Sequence, residues 1–402
     1  MATNKKMPTI ITSRIIDLDV FRGFAVFGIF MVNILVMNAA FTFRGEWEAE
    51  QTAWWSEVSF FILETFFYSK FFVIFSLLFG MGVALQIQRA KEKGKFSNLF
   101  FLRRFGSLFL FGVLHILFIW SGDILHLYGA YGFLLLLAFR CSAKVLMWLA
   151  ILVFIFPFYE EVFNWFISFS NLDYQSPLAE INKEKMIQLK QEGSYLNGIK
   201  LRIKEYLFAM EFFYTGIGPV ALTMMLLGGY LVKKGLLSAI DIWLKRSQPF
   251  LIISLVVLLT YRFFLLYYIV PSGVVEHGSI ISFVLMSIYY LSDISLSLMY
   301  LWLIAFFLRR NTFSKLVSPL QYAGRMAFTN YILQSVIGYV IMRSFGLYHM
   351  FSVVDCILIV VITFSLQVIL SKIWLTYYKF GPLEWMWRCI SYWKVLPISK
   401  SV

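Results

Sequence analysis

The chain has 402 residues, of which 60% are hydrophobic and 19% aromatic, while only 14% are charged. A soluble domain of this size does not have such a composition, so we predict a protein that crosses a membrane several times. The net charge of +13 comes from Lys and Arg placed between apolar runs, a pattern typical of membrane topology signals. Nucleic acid is therefore not expected as a partner.

Ten apolar runs follow one another along the chain, each near or above the length of a membrane-spanning helix. They cover 18–40, 68–88, 104–120, 124–140, 145–165, 206–232, 249–270, 280–308, 319–342 and 351–378. We therefore predict an all-α polytopic bundle of about ten transmembrane helices, forming a single membrane domain over residues 1–402.

The distribution of Lys and Arg predicts how the bundle is oriented. Most of these residues fall on one side when the N-terminus is assigned to the cytoplasm: Lys5, Lys6, Arg14, Arg140 and Lys144, with the groups at 89–104, 233–246, 309–325 and 379–400. The short connections on the other side hold little more than Arg44 and Arg343. The positive-inside rule thus predicts cytoplasmic termini, with 379–402 as a cytoplasmic tail.

Two segments are predicted on the outer side. Residues 41–67 form an acidic outer loop followed by an aromatic interfacial segment, and 166–205 form an outer loop in which Lys and Glu alternate at helical spacing. The second loop is interpreted as a solvated amphipathic cap, or as a segment that admits a substrate. The three cysteines match no metal or redox spacing, so neither a disulfide nor a metal site is expected.

Residues 103–128 form two apolar runs joined by the short hinge Ser121-Gly122-Asp123. An ionisable residue at this depth indicates a function or a partner in the protein interior. His115 suits general-base chemistry, and Asp123 could orient its imidazole or cap the helix that follows. His126, three residues after Asp123, lies on the same helix face. The alternative to a catalytic role is that His115 is a hydrogen-bonded residue packed in the protein interior.

Other polar residues inside the predicted spans are candidates for contacts with a substrate. They are Asn33, Lys70, Glu211, Arg262, Asp293 and Asn330, in addition to His126. Most of them are predicted in the outer half of the bundle. Arg262 and Asp293 could also form an interior ion pair without a chemical role. The pairs Gly80-x-Gly82 and Gly228-Gly229 predict close helix packing.

Several motifs together resemble the YeiB-like family of bacterial multi-pass membrane proteins. The matching stretches are RIIDLDVFRGFAVFGIFMVN at 14–33, KFFVIFSLLFGMG at 70–82, RRFGSLFLFGVLHILFIWSGDILHLYGAYG at 103–132, GRMAFTNYILQS at 324–335 and FGPLEWMWR at 380–388. That family is similar to a wider superfamily of membrane acyltransferases, which includes the acyltransferase-3 proteins and the lysosomal heparan glucosaminide acetyltransferase.

This resemblance implies transfer of a small acyl group from cytoplasmic acyl-CoA, with acetyl-CoA as the first candidate, to an envelope glycan or lipid-linked acceptor. It also implies a bacterial cytoplasmic membrane and an essential intramembrane histidine, which we assign to His115 with Asp123 as its partner. Asp19, Arg22, Arg325 and Arg388 on the inner rim would bind the donor, because arginines suit phosphate groups. Contact with lipid headgroups is the alternative for these arginines.

Two other function classes remain open. In a transporter, Glu211, Arg262 and Asp293 would line a path for a substrate or proton. The chain shows no paired repeats or matched broken helices of the kind that transporter folds often carry. In a structural or regulatory membrane protein, no single intramembrane polar residue would be essential.

Overall fold

The structure is a computed structural model, and it describes residues 15–170, 174, 177–274 and 279–400. Within these ranges the regular structure is helical, apart from an isolated antiparallel bridge between Tyr378 and Ser399. The all-α prediction is confirmed. Lys5, Lys6 and Arg14, which contributed to the predicted orientation, lie outside the described residues.

The helices follow the apolar runs of the sequence. In chain order they are α1 (Ile16–Ala39), α2 (Arg44–Ala49), α3 (Trp54–Phe66), α4 (Lys70–Glu92), α5 (Asn98–Phe118), α6 (Leu125–Ala138), α7 (Ala143–Ile155), α8 (Tyr159–Ser168), α9 (Lys183–Gln191), α10 (Tyr195–Glu211), α11 (Gly218–Lys233), α12 (Ile240–Phe264), α13 (Ile280–Leu308), α14 (Asn311–Val317), α15 (Leu320–Arg325), α16 (Ala327–Tyr339), α17 (Val353–Tyr377) and α18 (Pro382–Tyr392). Short π-helical segments extend α10, α12 and α16 at Phe212–Ile217, Leu265–Ile269 and Val340–Ser344.

Seven helical segments in the described part of the chain are long and apolar enough to cross a membrane. They are Ile16–Ala39, Trp54–Glu92, Asn98–Phe118, Tyr195–Lys233, Ile240–Ile269, Ile280–Leu308 and Val353–Tyr377. The pair α7 and α8, bent by 77°, would be an eighth if it is one span, and α6 is a shorter apolar helix. The chain is thus a polytopic helical membrane protein, while the number of spans and the side of each terminus stay predictions.

The bundle has two ends that carry different groups. We call the end that carries Arg22, Arg104, Arg325 and Arg388 the arginine end, and the end that carries the hinge between α5 and α6 the far end. At the arginine end, Arg309 forms ion pairs with Asp17 and Asp241 and thereby ties α13 to α1 and α12. At the far end, Glu50 of the α2–α3 connection pairs with Lys183 of α9.

Glycines allow the central helices to touch backbone to backbone. A Cβ atom on Gly80 of α4 would lie 2.0 Å from the Met225 carbonyl oxygen, and one on Gly228 of α11 would lie 2.3 Å from the Leu77 carbonyl oxygen. No side chain fits at either position. The predicted close packing at these glycine pairs is confirmed.

Glycines also allow close backbone contact between α1 and α15. A Cβ atom on Gly23 would lie 2.1 Å from the Leu320 carbonyl oxygen, and one on Gly324 would lie 1.8 Å from the Asp19 carbonyl oxygen. Arg22 and Arg325 are the sequence neighbours of these two glycines. The contact between α1 and α15 therefore brings both arginines to one place.

The segments predicted as loops and tail contain helices. Most of 41–67 lies in α2 and α3, and the described part of 166–205 contains α9 and the start of α10. In the predicted tail, α18 packs across the arginine end, where the Trp387 indole N–H donates to the Arg104 carbonyl oxygen at 2.8 Å. The last described residues then return to the end of α17 through the bridge at Tyr378.

Candidate active site: a buried carboxylate shared by two histidines

The geometry of the site begins with two glycines that bring α5 and α6 together. A Cβ atom on Gly112 would lie 2.2 Å from the His126 backbone nitrogen, and one on Gly129 would lie 2.5 Å from the Phe109 backbone nitrogen. The two helices therefore meet with their backbones in contact. As a result, polar side chains from α5, the hinge and α6 converge below the far end.

Asp123 is the centre of this group and is fully buried. Its Oδ1 lies 2.8 Å from His115 Nδ1 and accepts a hydrogen bond from the Tyr331 hydroxyl at 3.2 Å. Its Oδ2 accepts from the His126 backbone N–H at 3.1 Å and lies 3.4 Å from His126 Nδ1. Asp123 thus combines the two roles that the sequence left open, because it binds His115 and also accepts a backbone N–H in the first turn of α6.

His115 is buried, with 2% of its surface exposed, and its two ring nitrogens have different surroundings. Nδ1 faces the Asp123 carboxylate, while Nε2 has no hydrogen-bond partner among the described residues. A proton on Nδ1 that bonds to the carboxylate leaves a lone pair on Nε2. The arrangement therefore suits His115 to accept a proton from a group placed beside Nε2.

His126 lies on the other side of Asp123 and extends the hydrogen-bond chain into α10. Its Nε2 lies 2.9 Å from the Tyr206 hydroxyl, which in turn lies 3.2 Å from the Tyr214 hydroxyl. Both ring nitrogens of His126 are therefore engaged within the protein, which makes it a positioning residue. Across the ranges that the structure describes, no group of three His, Cys, Asp or Glu side chains is arranged to hold a metal ion.

A cavity of about 220 Å³ connects the arginine end to the vicinity of Asp123. The charged residues that line it are Asp19, Arg22, Arg104, Arg325, Glu384 and Arg388. All four residues that the sequence assigned to the donor are among them. At its inner limit the cavity reaches Ile124, which follows Asp123, and Tyr331, which donates to Asp123. The cavity thus reaches two neighbours of Asp123, although neither His115 nor Asp123 is itself part of its lining.

The charged lining of the cavity is held in place by contacts within α1 and between α5 and α18. Arg22 Nη1 lies 3.1 Å from Asp19 Oδ1, and the Arg104 guanidinium lies 3.6 Å from the centre of the Trp387 ring. Four guanidinium groups face two carboxylates, so the cavity carries an excess of positive charge.

Glu384 of α18 caps the N-terminus of α16, the helix that carries Tyr331. Its Oε1 accepts from the backbone N–H groups of Phe328 at 2.7 Å and Thr329 at 3.1 Å. Burial raises the pKa of the Glu384 carboxyl, while the hydrogen bonds from Thr329 and Phe328 oppose that rise. A carboxylate at a helix N-terminus is also favoured by the helix dipole. The cap links the C-terminal helix to the residues around Asp123.

The polar residues expected in the outer half of the bundle do not form a single site. Lys70, Arg262 and Asp293 form a separate cluster, in which Lys70 Nζ lies 2.9 Å from Asp293 Oδ1 and Arg262 Nη1 bonds the same oxygen. Arg262 Nη2 also lies 3.1 Å from Glu64 Oε1. The predicted interior ion pair of Arg262 and Asp293 is confirmed, and its charges are balanced by neighbours within the protein.

The three remaining candidates lie apart from the Asp123 group and from the cavity lining. Asn330 is buried and donates from Nδ2 to the Ala323 carbonyl oxygen and to Ser371 Oγ, both at 3.1 Å, so it ties α16 to α15 and α17. Asn33 is half-buried on α1, and Glu211 is half-buried at the end of α10. Their geometry gives no support to contact with a substrate in the cavity.

Sequence reasoning missed three residues that complete the site. Tyr331 and Tyr206 supply hydroxyls to Asp123 and His126, and Arg104 adds a fourth guanidinium to the cavity. A signal existed for Tyr331, because it directly follows the polar candidate Asn330 in the chain. Tyr206 had no such signal, since its partner lies 80 residues away in the chain.

Comparisons with known proteins agree with the resemblance that the sequence motifs indicated. A family model described as a protein of unknown function, DUF418, matches residues 231–394. YxaH of Bacillus subtilis, whose name describes it as uncharacterised, is 28% identical over 98% of each chain. YeiB of Escherichia coli, also named as uncharacterised, is 26% identical over 93% of this chain and 95% of its own. The resemblance to the YeiB-like family is confirmed.

A further relative is an uncharacterised 39.9 kDa protein of Bacillus acidopullulyticus, 29% identical over 97% of each chain. No solved structure matches this chain. The names of these relatives describe no activity. The function of this chain is therefore argued from the geometry of the site.

The contact at Gly112 gives a first prediction. Replacing Gly112 by Ala places a methyl group against the His126 backbone and 2.8 Å from Asp123 Oδ2, so α5 and α6 must separate. We expect a destabilisation of about 1–3 kcal/mol, measured as a lower melting temperature in detergent. Gly106→Ala is the matched control on the same helix, because its nearest contact would be 3.9 Å away. Equal effects of the two substitutions would contradict the proposed packing.

The ion cluster gives a second prediction. Asp293→Asn alone leaves the buried Lys70 ammonium without a carboxylate and should destabilise the protein by about 3–5 kcal/mol. Lys70→Met alone leaves Asp293 and Glu64 to share the single charge of Arg262, and it should also be destabilising. The double variant removes one positive and one negative charge and leaves Arg262 with Glu64, so it should be more stable than either single variant. A double-mutant cycle of thermal unfolding measures this coupling. Purely additive losses would show that Lys70 and Asp293 are not paired.

Proposed function

We propose that the protein is a membrane acyltransferase that moves a small acyl group from an acyl-CoA at the arginine end to an acceptor that approaches from the far end. The observation that carries the proposal is the pair of His115 and Asp123, in which Nδ1 is held by a carboxylate while the buried Nε2 has no partner among the described residues. This is the arrangement that a general base requires.

The cavity supports an acyl-CoA as the donor. Arg22, Arg325 and Arg388 belong to its lining, and guanidinium groups bind phosphates through paired hydrogen bonds. Its inner part is bounded by apolar and aromatic residues that include Phe79, Leu108 and Tyr128. With the phosphates at the arginines, the cavity would receive the uncharged thioester arm and direct it toward Tyr331.

The chemistry is a direct transfer between donor and acceptor. The acyl-CoA supplies a thioester carbonyl. His115 Nε2 takes the proton from an acceptor hydroxyl or amine, whose freed electron pair forms the bond to the carbonyl carbon as the carbon–sulfur bond breaks. His115 then returns the proton to the thiolate, which leaves as free CoA. Asp123 orients the imidazole and stabilises its cation during the step, and Tyr331 and His126 hold Asp123 in place.

The acceptor is proposed to be an envelope glycan or a lipid-linked molecule, and the location the cytoplasmic membrane of a bacterium. The relatives named above occur in bacteria, and the distribution of Lys and Arg favours a cytoplasmic position of the arginine end, on the side where acyl-CoA is made. The transporter alternative relied on Glu211, Arg262 and Asp293. The charges of Arg262 and Asp293 are compensated within their own cluster, and Glu211 lies apart from it at the end of α10. No observation of the site favours that class.

His115 gives the test of the chemistry. His115→Gln removes the basic nitrogen and keeps a side chain that can bond to Asp123, so the protein should fold and still bind acetyl-CoA. We expect acceptor-dependent release of CoA thiol to fall by about 10²–10⁴-fold, measured on purified protein with a thiol reagent.

Tyr331→Phe is the companion variant, because it removes only the hydroxyl that donates to Asp123 Oδ1. It should reduce thiol release less than His115→Gln. If the wild-type protein binds no acyl-CoA, or if His115→Gln retains full transfer activity, the acyltransferase proposal is wrong.

Arg388 gives the test of the donor site. Arg388→Gln removes one guanidinium from the cavity lining and should weaken acetyl-CoA binding by about tenfold, the effect of losing roughly 1.4 kcal/mol. Isothermal titration calorimetry in detergent measures the change. Arg103→Gln is the control, because Arg103 stacks on Trp393 at the same end without lining the cavity. Equal weakening by both would indicate a general effect of charge.

A further inference from the structure

A second pocket lies at the far end, on the opposite side of His115 from the arginine cavity. Its volume is about 60 Å³, and it is lined by residues that directly follow α5, by residues of α9 and α10, and by α16 with its π-helical extension. The lining includes Trp120, Lys190, Arg202, Glu205 and Arg343. The positive charges of this set outnumber its one carboxylate.

Two guanidinium groups converge over the floor of this pocket. A Cβ atom on Gly198 would lie 3.3 Å from Arg202 Nη1 and 3.5 Å from Arg343 Nη1, so both side chains end above the same glycine. Within the described ranges, neither arginine forms an ion pair with a carboxylate. Glu205, the nearby acid, is bonded to Lys190 at 2.6 Å and to the Ser121 hydroxyl at 2.9 Å. Arg343 instead donates from its two Nη atoms to the carbonyl oxygens of Lys190 and Gly193, so no carboxylate of the described residues neutralises either guanidinium.

Arg202 also has a hydrogen-bonding group that is not satisfied. Only 6% of its surface is exposed, its Nε donates to the Leu117 carbonyl oxygen at 2.8 Å, and its Nη2 has no partner in the part of the chain that the structure describes. A buried donor on a charged group without an acceptor is costly. An acceptor atom that binds in the pocket would remove this cost.

We propose that this pocket binds a phosphate group of the acceptor, an inference that rests on the proposed acyl transfer. A phosphate accepts from several N–H groups at once and neutralises two converging guanidiniums, which matches Arg202 and Arg343. A volume of about 60 Å³ exceeds the roughly 10–15 Å³ that a single water molecule needs, so a small polar group can enter the pocket.

The position of the pocket connects the phosphate to the chemistry. Trp120 lines the pocket, and the centre of its ring lies 6.5 Å from the centre of the His115 ring. Ser335 also lines it, one helical turn after Tyr331. A phosphate held by Arg202 and Arg343 would therefore anchor the acceptor with its remaining part next to His115. The acceptor is then a phosphate-bearing molecule, either a lipid headgroup or a soluble phosphorylated glycan.

The test measures binding of inorganic phosphate to the purified full-length chain in detergent, by thermal shift and calorimetry, with acetate at equal ionic strength for comparison. We expect phosphate to bind and stabilise the wild-type protein, and Arg202→Gln and Arg343→Gln to weaken binding at least tenfold. Lys183→Gln, a change at a half-buried far-end residue paired with Glu50, should leave binding unchanged. Arg343 is only half-buried, so its variant tests the site even if Arg202→Gln does not fold.

A second arm distinguishes the two sources of phosphate. The protein is transferred from nanodiscs of phosphatidylglycerol into detergent, and retained lipid is counted by native mass spectrometry. Lipid retained by the wild type and lost in Arg343→Gln supports a headgroup, whereas phosphate binding without retained lipid supports a soluble glycan. Acetate binding as tightly as phosphate, or phosphate binding that is equal in wild type and both arginine variants, would overturn the proposal.

Acetyl-CoA binding is measured in the same samples, so that failure of the two proposals can be told apart. Arg343→Gln should retain acetyl-CoA binding, because Arg343 lies outside the arginine cavity. A wild-type protein that binds phosphate at this pocket but binds no acetyl-CoA would remove the acyltransferase function and leave the phosphate site standing.

Discussion

The centre of this protein depends on the burial of one carboxylate. A charge enclosed in a helical membrane bundle is tolerated only when hydrogen bonds replace the water it has lost. Asp123 obtains them from the His115 ring, the His126 backbone N–H and the Tyr331 hydroxyl, which belong to α5, α6 and α16. The position of these three helices is therefore coupled to one side chain. The same bonds fix the ring of His115 and leave its Nε2 available.

The bundle contains two clusters of buried polar residues, and the buried charge is stabilised differently in each. In the cluster of Lys70, Arg262, Asp293 and Glu64, two positive charges are balanced by two carboxylates, and the bonds tie α3, α4, α12 and α13 together. Around Asp123 the carboxylate is balanced mainly by neutral donors and by a ring that can gain a proton. The first arrangement is suited to holding helices in place, and the second is suited to accepting and returning a proton.

The sequence predicted much of this architecture, because hydropathy and the spacing of polar residues are local signals. The helices, the pairing of His115 with Asp123 and the grouping of Asp19, Arg22, Arg325 and Arg388 at one end all followed from them. The partners Tyr331, Tyr206 and Arg202 did not, since each meets its neighbour through tertiary packing. Glycines such as Gly112 determine that packing, and their contacts cannot be read from one sequence alone.

The cap that Glu384 places on α16 has a consequence for the order in which the protein is built. The cavity draws its lining from Asp19 near the start of the chain and from Arg388 near its end, and Tyr331 belongs to a helix whose first turn is bonded to Glu384. During synthesis, the early helices enter the membrane long before α18 leaves the ribosome. The enclosure around Asp123 is completed only by the last helix, so a nascent or truncated chain holds His115 and Asp123 without the finished cavity.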